Sequence, residues 1–131
     1  MRVLVAPDSY KGSVSAIGVA RAMARGIRQV FPDAEVIEIP IADGGEGTVD
    51  ALLAATGGQA LRHRVQGPLC QPVDAGWGIL GDKRTAVIEM AAASGLPLLP
   101  LEQRDPRLTC TYGSGQLITA ALDAGLRKII I

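Results

Sequence analysis

Pro40-Ile41-Ala42-Asp43-Gly44-Gly45-Glu46-Gly47-Thr48 follows a strand-like run, Glu35-Val36-Ile37-Glu38-Ile39, and leads into a run with helical spacing, Val49, Leu52, Leu53 and Thr56. A glycine-rich turn from strand to helix points backbone N–H groups at the helix N-terminus, where an anion is favoured. Its two carboxylates, Asp43 and Glu46, are hard oxygen donors suited to Mg²⁺, and an Asp there can also take a proton from a hydroxyl. The plainer alternative is a βα turn whose acidic residues only complement the helix dipole. Residue types alone leave both open.

Upstream, Val3-Leu4-Val5-Ala6 is a continuous apolar run, as in parallel strands buried on both faces. Ile17, Ala20, Met23, Ala24, Ile27, Val30 and Phe31 then recur at helical spacing, with Arg21, Arg25 and Arg28 on the other side. Ser13 or Ser15 can cap this helix and Pro32 stops it. Strand, helix and strand make a βαβ unit, so the first two strands are expected to be parallel. Their following loops, residues 8–13 and 43–48, then leave from the same carboxyl-terminal edge, where open α/β sheets bind ligands. In the first loop, Asp8 follows the strand end and Lys11 lies among Ser9, Gly12 and Ser13, placed to neutralise a phosphate or carboxylate. An Asx-type turn beside a solvated lysine is the alternative.

Downstream of a Gly57-Gly58 stop the pattern changes. Leu61, His63 and Val65 alternate with Arg62, Arg64 and Gln66; Val73, Ala75, Trp77 and Ile79 alternate in turn; residues 85–90 form a third run. The short Gly67-Pro68 and Gly81-Asp82-Lys83-Arg84 turns indicate an antiparallel meander. A lobe boundary is expected near Gly58, dividing a Rossmann-like α/β lobe (1–58) from a partial second lobe (59–131). Residues 91–95 suit a short helical piece and 96–108 a loop. Thr109, Thr111, Tyr112 and Ser114 bring hydroxyls to the entry of a helix closed by Gly125. Lys128-Ile129-Ile130-Ile131 begins a further strand, expected to be buried, with no turn or polar tail after it, the mark of a fragment. Glu89, in an otherwise apolar strand, must face water, a partner or a ligand. His63 and Trp77 are expected to be structural.

The composition narrows the function classes. The chain has 131 residues, 48% hydrophobic but only 3% aromatic, so its core is aliphatic. Thirteen Lys and Arg balance thirteen Asp and Glu, with no block of like charge, which gives no support to a nucleic-acid or anionic-membrane surface. The residues after Met1 reach Pro7 and Asp8 too early for a signal peptide, and no apolar run could span a bilayer. Cys70 and Cys110 lack metal or redox spacing and read as free, buried thiols of a cytoplasmic protein. Neither glycine loop matches the Walker A pattern or the dinucleotide fingerprint.

Four segments in order, Ala6-Pro7-Asp8-Ser9-Tyr10-Lys11-Gly12-Ser13, Ala42-Asp43-Gly44-Gly45-Glu46-Gly47-Thr48, Val87-Ile88-Glu89-Met90-Ala91-Ala92-Ala93-Ser94-Gly95-Leu96 and Thr111-Tyr112-Gly113-Ser114-Gly115, closely resemble the bacterial glycerate kinase family over essentially the whole chain. The resemblance implies a two-lobed α/β kinase that phosphorylates D-glycerate at its 2-hydroxyl with ATP and Mg²⁺. For that reaction the expected catalytic residues are Lys11, neutralising anionic substrate or the transferring phosphate, and Asp8 or Asp43, orienting or deprotonating the 2-hydroxyl; the alternative is that Asp43 with Glu46 instead holds Mg²⁺, directly or through water. Substrate or phosphate contacts are expected from Ser9, Gly12, Ser13, Gly44, Gly45, Gly47, Thr48, Glu89, Thr111 and Ser114. Tyr10 stands where the family usually has Phe, Cys70 where a Gly is usual and Cys110 where a Thr is usual. Members of the family continue into a further glycine-rich loop that helps bind nucleotide, so this chain alone is expected to be inactive. The alternatives are a non-catalytic module binding a small hydroxy acid or phosphate, and a structural fragment that forms homo-oligomers through an open strand edge.

Overall fold

A computed structural model of the chain describes every residue except Lys11, and the role expected of that lysine lies outside the described residues. The chain divides into two compact units, Met1–Asp43 and Gly44–Ile131.

In the first unit, β1 (Arg2–Val5) pairs in parallel with β2 (Glu35–Glu38), Val3 opposite Val36 and Val5 opposite Glu38. The helix between them, α1 (Ala16–Val30), is the expected crossover. Ser15 caps it, accepting from the Gly18 N–H at 3.2 Å, and this satisfies one of the orphan donors of the first turn. Ala16, Val19, Ala20 and Ala24 are its buried residues. Small side chains let α1 lie close on a narrow sheet. Met23, Val30 and Phe31, expected on the inner stripe, are exposed instead, because two strands cover less than a full helical face.

The second unit begins with α2 (Thr48–Thr56), which ends on Gly57 in the left-handed region, as the sequence predicts. A mixed sheet follows in the order β3-β4-β5-β6, from β3 (Gln59–Gln66), β4 (Pro72–Ile79), β5 (Thr85–Ile88) and β6 (Lys128–Ile130). The first three strands form the expected antiparallel meander, and β6 adds in parallel to β5. Strand alternation sorts the two faces. Val65, Ala75, Trp77, Ala86 and Ile88 face α3 (Met90–Ser94) and α4 (Tyr112–Asp123), where Ala93, Leu117 and Ala121 complete the main core. Val87, on the opposite face, meets Val49 and Leu53 of α2. A Cβ at Gly78 would press on Leu53 Cδ2 at 2.6 Å, so the glycine leaves room for that side chain as packed.

The structure differs from the sequence reading in further places. The helix after the 43–48 loop packs on the second unit's sheet, so the compact units divide at Asp43 and not near Gly58. β6 pairs with β5 in this chain, with Lys128 and Ile130 exposed and Ile129 packed on the core. Neither cysteine is buried; Cys70 is exposed and Cys110 half-buried, both with free thiols. Trp77 is core as expected, 3% exposed, and its indole Nε1 has no hydrogen-bond partner among the described residues. No helix of the described residues is long and apolar enough to cross a membrane.

Candidate active site

The two loops predicted to converge start side by side. Beyond the ladder of β1 and β2, the Ile39 N–H donates to the Val5 carbonyl at 2.8 Å and the Ile41 N–H to the Pro7 carbonyl at 3.1 Å. The chain therefore leaves for Asp8 and for Asp43 from adjacent points of one sheet edge. Asp8 is exposed, and its Oδ1 accepts the Ser9 N–H at 2.6 Å, a contact of the kind the plainer reading anticipates. Around it the loop is tight. The Ser13 and Val14 N–H groups both donate to the Tyr10 carbonyl, at 2.9 and 3.1 Å, and Gly12 takes φ +72°.

The second loop turns on Gly44 at φ +98° and Gly47 at φ +94°, conformations open to glycine and strained for other residues. Asp43, just before this turn, and Glu46, within it, are exposed. Thr48 bends back, its Oγ1 donating to the Gly45 carbonyl at 2.7 Å.

Gly47 is the N-cap of α2 and has no side chain to accept from the first turn. The acceptor comes from Glu89, just past the end of β5. Its Oε2 receives the Gly47 N–H at 2.9 Å and the Val49 N–H at 3.4 Å. The sequence places Glu89 inside a strand and requires a partner for it; the partner is the head of α2. The residue is 8% exposed, and burial pushes its carboxyl above the ordinary value. The N–H groups of Val49, Gly47 and Thr48 pull it down, and the negative charge of Asp50 adds to the upward push.

At the head of α4 the hydroxyls separate. Thr111 is the exposed N-cap, its carbonyl accepting from the Ser114 N–H at 3.1 Å. Ser114 is 7% exposed, and its hydroxyl shares a hydrogen bond of 3.0 Å with that of Ser94. Gly113 is required by packing, since a Cβ there would overlap the Gln66 carbonyl. Sequence reasoning missed Ser94 and Asp50. The small-residue run at 91–94 signals a close helix contact for the first, and the acid in the first turn of α2 could have flagged the second.

The second unit thus gathers Gly44, Gly45, Glu46, Gly47, Thr48 and Glu89 at one place, while Ser114 is held in the contact between α3 and α4. Among the described residues no group of three or more His, Cys, Asp or Glu could hold a metal ion. Two exposed carboxylates still suit Mg²⁺, which takes one or two from the protein and completes its shell with water and substrate phosphates.

The model of the glycerate kinase family matches residues 3–131, nearly the whole chain. The chain belongs to the glycerate kinase family. It is 55% identical over 131 residues to glycerate 2-kinase of Escherichia coli K12, covering 100% of this chain and 34% of that relative. It is 54% identical over 131 residues to glycerate kinase of Bacillus subtilis 168, again covering 100% of this chain and 34% of the relative. A crystal structure from Salmonella typhimurium LT2, of a protein provisionally named glycerate kinase 2, matches with a TM-score of 0.82 and 53% identity, covering 100% of this chain and 36% of that one. As a member of the glycerate kinase family, the chain spans roughly a third of the length of these relatives.

Proposed function

We propose that this chain carries the substrate side of a site that transfers the terminal phosphoryl group of ATP to the 2-hydroxyl of D-glycerate, giving 2-phosphoglycerate and ADP. The observation that supports it most is the turn of left-handed glycines that opens α2, with Glu46 exposed within it and Asp43 exposed just before it. Phosphoryl transfer asks the protein for positioning and charge neutralisation more than for covalent help. Asp43, or Asp8 beside it in chain path, orients the 2-hydroxyl and takes its proton as the new P–O bond forms. Lys11 neutralises the incoming phosphate or the substrate carboxylate. Ser9, Gly12, Ser13 and Thr111 are the proposed polar contacts.

The Gly47 N–H is committed to Glu89, so backbone contact with an anion falls to the loop upstream of it. In the alternative assignment Asp8 takes the proton and Asp43 with Glu46 would instead hold Mg²⁺, which when bound neutralises phosphate charge. The nucleotide side belongs, in this reading, to the segments that the longer relatives have beyond the matched third, and the matched third alone is inactive. A cytoplasmic location is part of the same reading, supported by the two free cysteines.

The test is product analysis. The family-length protein that carries this chain is incubated with ATP, Mg²⁺ and D-glycerate, and the product is read by phosphorus and carbon NMR. We expect phosphate on the 2-position. Phosphate on the 3-position would refute the assignment of the acceptor hydroxyl, and binding of D-glycerate without ATP consumption would favour a binding module.

A further inference from the structure

We infer that Glu89 is a positioning residue, whose carboxylate ties the glycine loop at the head of α2 to the central strand of the second unit's sheet and so sets the conformation of the 44–47 turn.

The need for such a tie follows from local chemistry. An α-helix starts with N–H groups that have no partner within the helix. Most helices meet that need with a Ser, Thr, Asp or Asn at the N-cap, but here the N-cap is Gly47. Thr48, next in line, spends its hydroxyl on the Gly45 carbonyl. The acceptor is supplied from a sequence distance of 42 residues for Gly47 and 40 for Val49, by one oxygen of Glu89. A carboxylate held at 8% exposure is a costly way to cap a helix that an N-cap side chain would serve locally. What the long-range arrangement adds is a fixed point. All four residues of β5 are buried, and Glu89 follows directly from them. Gly44 and Gly47, each at positive φ, have a wide choice of conformation, and the hydrogen bond to Gly47 removes it at the downstream end. The same carboxylate makes the first turn of α2 unwelcoming to a second anion, because the amides of Gly47 and Val49 are already taken.

The kinetic part of the test rests on the proposed glycerate kinase activity; the structural part does not. In the family-length protein, Glu89→Gln keeps an acceptor at the same reach and loses the charge. Glu89→Asp keeps the charge and loses one methylene of reach, and Glu89→Ala loses both. Amide hydrogen exchange at Gly47 and Val49 is measured with kcat and KM. Positioning predicts that Gln retains protection and kcat to within about threefold. It predicts that Asp and Ala lose protection and that kcat falls by up to about 10²-fold, the scale of a 1 Å misplacement, with KM changing less.

A Gln variant as slow as Ala with its amides still protected would show that the charge itself meets the reacting groups, and would overturn the inference. An Ala variant with normal exchange and kcat would overturn it as well. If the Ala variant does not fold, the order of Gln and Asp decides: Gln above Asp supports positioning and the reverse order refutes it. If the protein turns over no glycerate, the proposed function fails while the exchange order still judges the role of Glu89.

Discussion

Cys70 sits at φ +63° in the turn between β3 and β4, where its N–H donates to the Gly67 carbonyl at 3.0 Å. A left-handed conformation costs a side-chain-bearing residue about 1–2 kcal/mol, and the greater chain entropy of glycine returns about 0.5–1 of that. Cys70→Gly is therefore expected to raise the unfolding free energy by about 0.5–1 kcal/mol, read from the urea midpoint. The sequence shows Cys70 where the resembled family usually has Gly; only the backbone shows why Gly is usual. Asp82, at the other turn, accepts from the Thr85 hydroxyl at 2.6 Å and from the N–H groups of Arg84 and Thr85 at 2.9 Å each. These bonds, that of the Thr85 hydroxyl first, hold its carboxyl down at about 2 against an ordinary 3.8. A depressed carboxyl stabilises the fold fully above its unfolded value and loses that contribution as pH falls through the folded one. Stability should drop between about pH 4 and 2, and Asp82→Asn should flatten that part of a urea midpoint profile. Glu89 acts in the opposite sense: its carboxyl is raised from 4.5, so ionising it costs stability as pH rises past that value.

The helix α4 shows how two neighbouring glycines do different work. A Cβ on Gly113 would overlap the Gln66 carbonyl at the end of β3, while one on Gly115 would meet nothing within 4 Å. Gly113→Ala is expected to cost about 1–3 kcal/mol by forcing the helix off the sheet, and Gly115→Ala to gain about 0.5–1 kcal/mol from helix propensity. Thermal unfolding of the pair should move in opposite directions. A sequence reader sees only Gly113-Ser114-Gly115 and thinks of a ligand loop. Elements whose signal is local were legible: α1 through its Ser15 cap and period, α2 through its Gly57 stop, the meander through its alternation and short turns. Contacts made across 20 residues or more were not. Nothing near Glu89 in the sequence points to Gly47, and nothing near Ser114 points to Ser94.

At the scale of the whole molecule, the parallel unit and the mixed-sheet unit each have a fold that follows from their patterns, and the family match spans both. The candidate site was legible as residue types and as one sheet edge. The backbone adds that Asp8 and Asp43 leave that edge together, that left-handed glycines shape the turn, and that the carboxylate of Glu89 holds its far end. The central claim is that Asp43 orients or deprotonates the acceptor hydroxyl of glycerate. Its direct test is Asp43→Asn in the family-length protein, a near-isosteric change at an exposed position. Loss of a positioned base is expected to lower kcat by about 10²–10⁴-fold, far more than the substitution lowers the urea midpoint. Near-normal turnover in a folded Asp43→Asn protein would contradict the account.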